Sequence, residues 1–216
     1  MTSSKRSLLV IAAIAAISSS SFAAILPANG FLLANPVAPL GGTPLLVDTS
    51  TNAFTGFDNA HNVVFTGNET TGVFSGDTNN ALGGLTFVYQ VNNDLTSQDA
   101  LDQITLSGFA GFTADVGFIV DGQTAPVTLT RSADGDIIRF SFPGNDILQG
   151  AGSSSLVVRT NAPFDIADTM SIIDGGTGTT SSFAPAPGGG GGTPEPASVG
   201  IIGLGGLAIL RRRRRV

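Results

Sequence analysis

Hydrophobic and polar residues alternate most strictly over 85–92 (LTFVYQVN), where Leu85, Phe87, Tyr89 and Val91 fall on one face. Period-two alternation rich in aromatic and β-branched residues, bounded here by Gly83-Gly84 and Asn92-Asn93-Asp94, predicts a strand with one buried face. Shorter runs of the same kind occur at 62–65, 71–75, 103–107, 115–120, 127–131, 137–142, 156–160 and 170–173, with an edge strand expected at 45–48. Turn pairs separate them: Gly67-Asn68, Gly76-Asp77, Asp121-Gly122, Asp134-Gly135 and Pro143-Gly144. Glycine, proline and asparagine or aspartate supply the backbone angles and local hydrogen bonds that tight turns need. Helical periodicity is weak, with at most one turn over 97–101. Several short strands at this spacing predict an all-β fold, an antiparallel β-sandwich of about eight to ten strands. Immunoglobulin-like and jelly-roll topologies both remain open.

The two ends break this pattern. Residues 25–46 are apolar but interrupted by Pro27, Pro36, Pro39, Gly41, Gly42 and Pro44, which reads as an extended arm. Ahead of it, Lys5 and Arg6 precede an apolar run over 8–17 and the small-x-small triplet Ser21-Phe22-Ala23. That order predicts a secretory signal peptide over 1–23, cleaved after Ala23. The body is expected over 24–183, with Phe183 the last side chain able to reach a core. Residues 184–193, including PAPGGGGG, read as a flexible linker with nothing to bury.

From Thr193 the composition changes again, to TPEPASVGIIGLGGLAILRRRRRV. Pro194, Glu195 and Pro196 form an extended polar triplet. The 14 residues of 197–210 carry no charge, and Arg211, Arg212, Arg213, Arg214 and Arg215 follow. Apolar residues enter a bilayer while an arginine run stays on the cytoplasmic side, so the five arginines act as a stop-transfer signal. The span is shorter than the roughly 20 residues of a permanent transmembrane helix, and Gly200, Gly203, Gly205 and Gly206 weaken it further as a helix. Both features suit a temporary anchor.

This order of elements resembles the PEP-CTERM sorting signal of Gram-negative bacteria. The resemblance rests on Pro194, Glu195 and Pro196, the membrane segment, and the terminal arginines. It implies recognition by an exosortase, a membrane-embedded processing enzyme that cuts near the motif. The implied route is export, transient anchoring in the inner membrane, then release to the cell surface or extracellular matrix, with exopolysaccharide as a possible matrix partner. It carries no catalytic motif onto the body.

Charge sharpens the picture once the ends are set aside. Between Ala24 and Thr193 there are three arginines, no lysine and fifteen acidic residues, a formal charge of −12. Such a surface repels phosphate backbones and anionic lipid heads, which argues against nucleic acid as a partner and against peripheral membrane binding by the body as a whole. The absence of cysteine removes disulfides, thiolate metal sites and a cysteine nucleophile together. His61 is the only histidine, and neither a G-x-S-x-G elbow nor a zinc ligand set is present, so no catalytic residue is assigned. The carboxylate pairs Asp99 with Asp102 and Asp134 with Asp136 lie at expected turns, where aspartate caps the backbone. Asp134 and Asp136 are nonetheless the calcium candidates, because hard cations want clustered oxygens in an acidic protein. Asn68-Glu69-Thr70 matches a glycosylation acceptor pattern. The sequence points to a non-enzymatic exported surface protein. The alternative is a secreted binding module, dependent on calcium or recognising carbohydrate.

Overall fold

The computed structural model describes residues 24–188, and these are all strand, turn and loop, with no helix among them. The twelve strands, in chain order, are β1 (Ala24–Ile25), β2 (Phe31–Leu33), β3 (Leu45–Phe57), β4 (Val63–Ser75), β5 (Thr86–Asn93) and β6 (Gln103–Leu106), followed by β7 (Ala114–Ile119), β8 (Thr128–Arg131), β9 (Ile138–Ser141), β10 (Ser155–Thr160), β11 (Phe164–Asp174) and β12 (Gly176–Ala186). The fold is all-β and every strand pair is antiparallel. The signal peptide expected over 1–23 lies outside the described residues.

Hydrogen bonding joins all twelve strands into one sheet in the order β1-β7-β10-β5-β4-β3-β12-β11-β6-β9-β8-β2. Open twisted sheets of this width curl on themselves, and the connectivity requires it here. β1 and β2 sit at opposite edges, yet only residues 26–30 separate them. A link that short spans at most about 20 Å, so the two edges approach one another and the sheet forms a half-barrel. The chain stitches the seam as it passes: Leu26 N donates to Ala114 O at 2.9 Å on one side, and Asn29 N to Ser132 O at 2.9 Å on the other. It then returns over β7, where Val37 N donates to Phe118 O at 2.8 Å.

One hydrophobic core lies inside the curl and joins both halves of the sheet. The alternation over 85–92 places its residues as the pattern requires, with Phe87, Tyr89 and Val91 fully buried. Phe87 meets Phe109, which follows β6, edge-to-face with centroids 6.2 Å apart. Phe183 packs against this core, and Tyr89 Oη donates to its carbonyl at 2.7 Å.

Four sequence expectations change. The runs over 62–65 and 71–75 are one 13-residue strand, β4, passing straight through Gly67-Asn68. Gly67 marks a close approach inside that strand: a Cβ there would lie 2.1 Å from Asn92 O and 2.5 Å from the Phe54 ring. Residues 176–186 form β12, in the middle of the sheet, so Ala184, Pro185 and Ala186 belong to a strand and not to the linker. The expected edge strand at 45–48 opens β3, which is 13 residues long and paired along its length with β4. Twelve strands in one sheet replace the eight to ten expected in a sandwich.

Candidate functional site

The residues with the strongest functional signal in the sequence, Pro194, Glu195, Pro196 and Arg211 to Arg215, lie outside the described residues. What the structure places is the point from which they depart. β12 pairs with β11 as far as Phe164↔Ala186. Gly188 then lies against the Phe164 ring, where a Cβ would come within 3.4 Å. The sorting segment therefore begins within a few residues of a fully paired strand.

Asp134 and Asp136 come together, but in a turn between β8 and β9 that uses their oxygens. Asp134 Oδ1 accepts from the Ser132 hydroxyl and, at 3.1 Å, from Asp136 N. Ser132 Oγ in turn accepts from Ile137 N at 2.8 Å, and Gly135 takes φ 76°. The Ser132 and Asp136 hydrogen bonds hold the Asp134 carboxyl below its usual range. The pair is a turn-capping device common to aspartate. Among the described residues no three His, Cys, Asp or Glu side chains are placed to hold one metal ion. His61 sits exposed at φ 63° in a tight turn organised by Asp58, whose Oδ1 accepts from Ala60 N and Asn62 N, both at 2.8 Å.

Asp99 and Asp102 belong to a different arrangement. With Asp146 and Asp174, the last residue of β11, they meet where the β11–β12 hairpin turns: Asp102 N donates to Ile173 O at 3.2 Å, Leu101 and Ile147 exchange backbone hydrogen bonds, and a Cβ on Gly175 would lie 3.9 Å from Asp99 Oδ2. Burial, then the charges of Asp102, Asp99 and Asp146, push the Asp174 carboxyl above its usual range. Burial and Asp146 do the same to Asp102. No cation compensates them, since the single ion pair among the described residues lies elsewhere. Carboxyls raised in the folded state contribute stability below their unfolded pKa and lose it as pH rises through the folded value. Asp174→Asn is therefore expected to raise the melting temperature at pH 7 by about 1–3 °C, a few tenths to about 1 kcal/mol for a partly exposed group. The gain should vanish near pH 4. A gain that persists unchanged at pH 4 would show that repulsion is not its source.

The glycosylation-like triplet is not on a loop. Glu69 is fully buried in β4, and Asn68 and Thr70 flank it in the same strand. Its carboxylate accepts from Thr71 Oγ1 at 2.7 Å, Asn52 Nδ2 at 3.1 Å and Ser50 Oγ at 3.4 Å. Having donated to Glu69, the Thr71 hydroxyl pairs with Ser182 Oγ at 2.8 Å. Burial pushes the Glu69 carboxyl up, and these hydrogen bonds only partly offset it. A satisfied polar strip of this kind fixes how β4, β3 and β12 face one another.

Sequence reasoning missed the two buried arginines. Arg159 is 2% exposed; its Nε donates to Asp77 Oδ2 at 2.9 Å and its Nη2 to Ala38 O at 2.7 Å. Asp77 Oδ1 accepts from Gly41 N at 2.8 Å, so the pair pins the arm over 34–42 to the outer face of the sheet. Arg131 donates to Gly135 O, Leu26 O, Phe109 O and Phe112 O at 2.7–3.0 Å. It binds the link after β1 to the end of β8, across the seam. Both are structural latches, and their partners are too distant in sequence to be read from a motif.

No curated protein and no solved structure matches this chain. Residues 193–215, about a tenth of its length, match the PEP-CTERM protein-sorting motif. The match covers the proline-glutamate-proline triplet, the uncharged segment and the arginine run in that order, and it implies export and membrane-associated sorting through an exosortase. The chain carries a PEP-CTERM protein-sorting motif.

Proposed function

We propose that this is a non-enzymatic protein of the cell surface or extracellular matrix, parked in the inner membrane by its tail and then released. The observation that carries the reading is the sorting motif over 193–215, joined to a closed, strongly acidic β body by a few residues. The chemistry of the body supports the same reading. Asp58, Asp121 and Asp134 cap turns or loops, Glu69 is committed to a buried strip, and His61 stands in a turn with no carboxylate–histidine pairing. The partner that fits best is a hydrated polysaccharide matrix, which would meet outward rows such as Thr51 and Thr70, 3.1 Å apart. The two halves of the curled sheet act as the facing layers of a sandwich across the shared core. Calcium, if bound, is structural.

Intact-mass measurement of the secreted protein tests the reading. The expected mature form begins at Ala24 and ends before Arg211. Changing Pro194, Glu195 and Pro196 to alanine together should leave the full tail on a membrane-retained protein. Neutral residues at Arg211 to Arg215 should scramble its topology. A secreted parent that still carries all five arginines would end the proposal.

A further inference from the structure

Fourteen large apolar side chains of the described residues are exposed, and five of them gather where the chain leaves the sheet. Leu45, Leu46 and Val47 at the start of β3, and Phe164 and Ile166 at the start of β11, are each 51–70% exposed. The register brings them to one end. β3 meets β12 at Phe57↔Thr177 and Gly56↔Gly178. Asn52 Nδ2 donates to Ser181 O at 2.9 Å and Thr180 Oγ1 to Ala53 O at 3.3 Å, continuing that alignment toward Asp48 and Ala186. Ala186 is opposite Phe164 and Ala184 opposite Ile166. Leu45 to Val47 lie just beyond. Burial and then the Asp48 charge push the Asp165 carboxyl up, as expected where the starts of β3 and β11 are neighbours.

That end is also where the chain leaves the body. Only residues 189–196 separate Gly188 from the uncharged segment that begins at Ala197. At full extension they reach about 30 Å. With the tail in the bilayer, the apolar end is tethered close to the lipid surface. The opposite end carries the uncompensated carboxylates: Asp174 is ten positions along β11 from Phe164, or about 33 Å. Asp99, Asp102 and Asp146 gather around it. An anionic lipid surface repels that corner, with its four carboxylates, more strongly than the other, whose rim carries Asp48 and Asp165.

We infer that the tail-exit end of the body, Leu45, Leu46, Val47, Phe164 and Ile166, rests on the bilayer surface while the protein is anchored. This contact rests on the sorting reading, since the tail must be inserted first. It holds the folded body in one orientation and presents the segment after Ala186 at the membrane face. Apolar side chains at this depth sit at the boundary of headgroups and acyl chains, as in interfacial helices. Cleavage of the tail removes the tether, and the acidic body then leaves the surface.

The chain has no cysteine, so single labels can be placed at will. The full chain is reconstituted in phosphatidylethanolamine–phosphatidylglycerol vesicles containing acyl-brominated lipid. It carries an environment-sensitive fluorophore at Leu46→Cys, Ile166→Cys, Leu148→Cys or Ile202→Cys in turn. Expected is loss of fluorescence to bromine at Leu46, Ile166 and Ile202, and none at Leu148, an exposed residue beside Asp146. Quenching at Ile202 with none at Leu46 and Ile166 overturns the surface contact and leaves the sorting reading standing. No quenching at Ile202 overturns the inserted tail, and with it both. Shielding of Leu46 and Ile166 only when a processing enzyme is co-reconstituted overturns the lipid contact and assigns the patch to that protein.

Discussion

Arg159→Ala is expected to lower the stability of the body by about 3–5 kcal/mol, the usual cost of removing one partner from a buried ion pair. For a domain of this size that is a fall of roughly 10 °C in melting temperature. Three effects combine. Asp77 keeps the hydrogen bonds from Gly41 N, Asn79 N and Thr86 Oγ1 but loses its cation. The largest fully buried side chain is deleted. Asp115, opposite Arg159 on β7, has a buried Oδ1 with no partner, and Arg159 is the charge that offsets its burial. A double variant, Arg159→Met with Asp77→Leu, should recover only part of the loss: no charge is stranded at position 77, but Asp115 still lacks its cation, and Gly41 N, Asn79 N and Thr86 Oγ1 lose their acceptor. The pH profile gives an independent reading. Burial pushes the Asp77 carboxyl up, but hydrogen bonds from Gly41, Arg159 and Asn79 and the arginine's charge outweigh it and leave it below its usual range. A depressed folded pKa contributes stability above the unfolded value that is lost as pH falls. The gap between parent and Arg159→Ala in chemical denaturation should therefore narrow on acidification below about pH 4. A gap that stays constant would mean that lost packing, and not the ion pair, sets the cost. The arm over 34–42 should become the first site of limited proteolysis.

Arg131→Lys should be almost as damaging as Arg131→Ala, at about 2–4 kcal/mol each. The guanidinium fork supplies three nitrogens to four carbonyls, on Gly135, Leu26, Phe109 and Phe112, in fixed directions. A lysine has the charge but not the fork, so at least one buried carbonyl is left unpaired. No carboxylate lies within ion-pair distance of Arg131 among the described residues, and burial lowers its pKa. Hydrogen exchange should show the damage first at the amides of Leu26 and Asn29, which stitch the seam. If Arg131→Lys matches the parent in denaturant midpoint, the fork geometry is not what closes the half-barrel.

These two arginines mark the limit of what the chain reveals unfolded. Local signals were legible. The alternation over 85–92 gives β5 with its buried face correct, and Gly122, Gly135 and Gly144 take positive φ at the turn pairs that contain them. The sorting motif was legible for the same reason, being written in 23 consecutive residues. β12 was not, because its buried positions are Gly178, Thr180, Ser182, Ala184 and Pro185, a largely period-two pattern in small residues that hydrophobicity alone overlooks. Its place beside β3 is settled by Phe57↔Thr177, a pairing of residues far apart in the chain. The latches join positions 82, 105 and 121 residues apart, and no spacing rule reaches that far.

The outermost strands, β1 and β2, are two and three residues long, while the 13-residue strands β3 and β4 lie inside the sheet with partners on both sides. Unpaired strand margins are the usual template for runaway stacking between neighbours, and brevity is one way to blunt them. A β-rich protein sorted for export folds beyond the reach of cytoplasmic chaperones. Keeping the long β3–β4 ladder away from those margins leaves only two very short strands there for a second copy to extend.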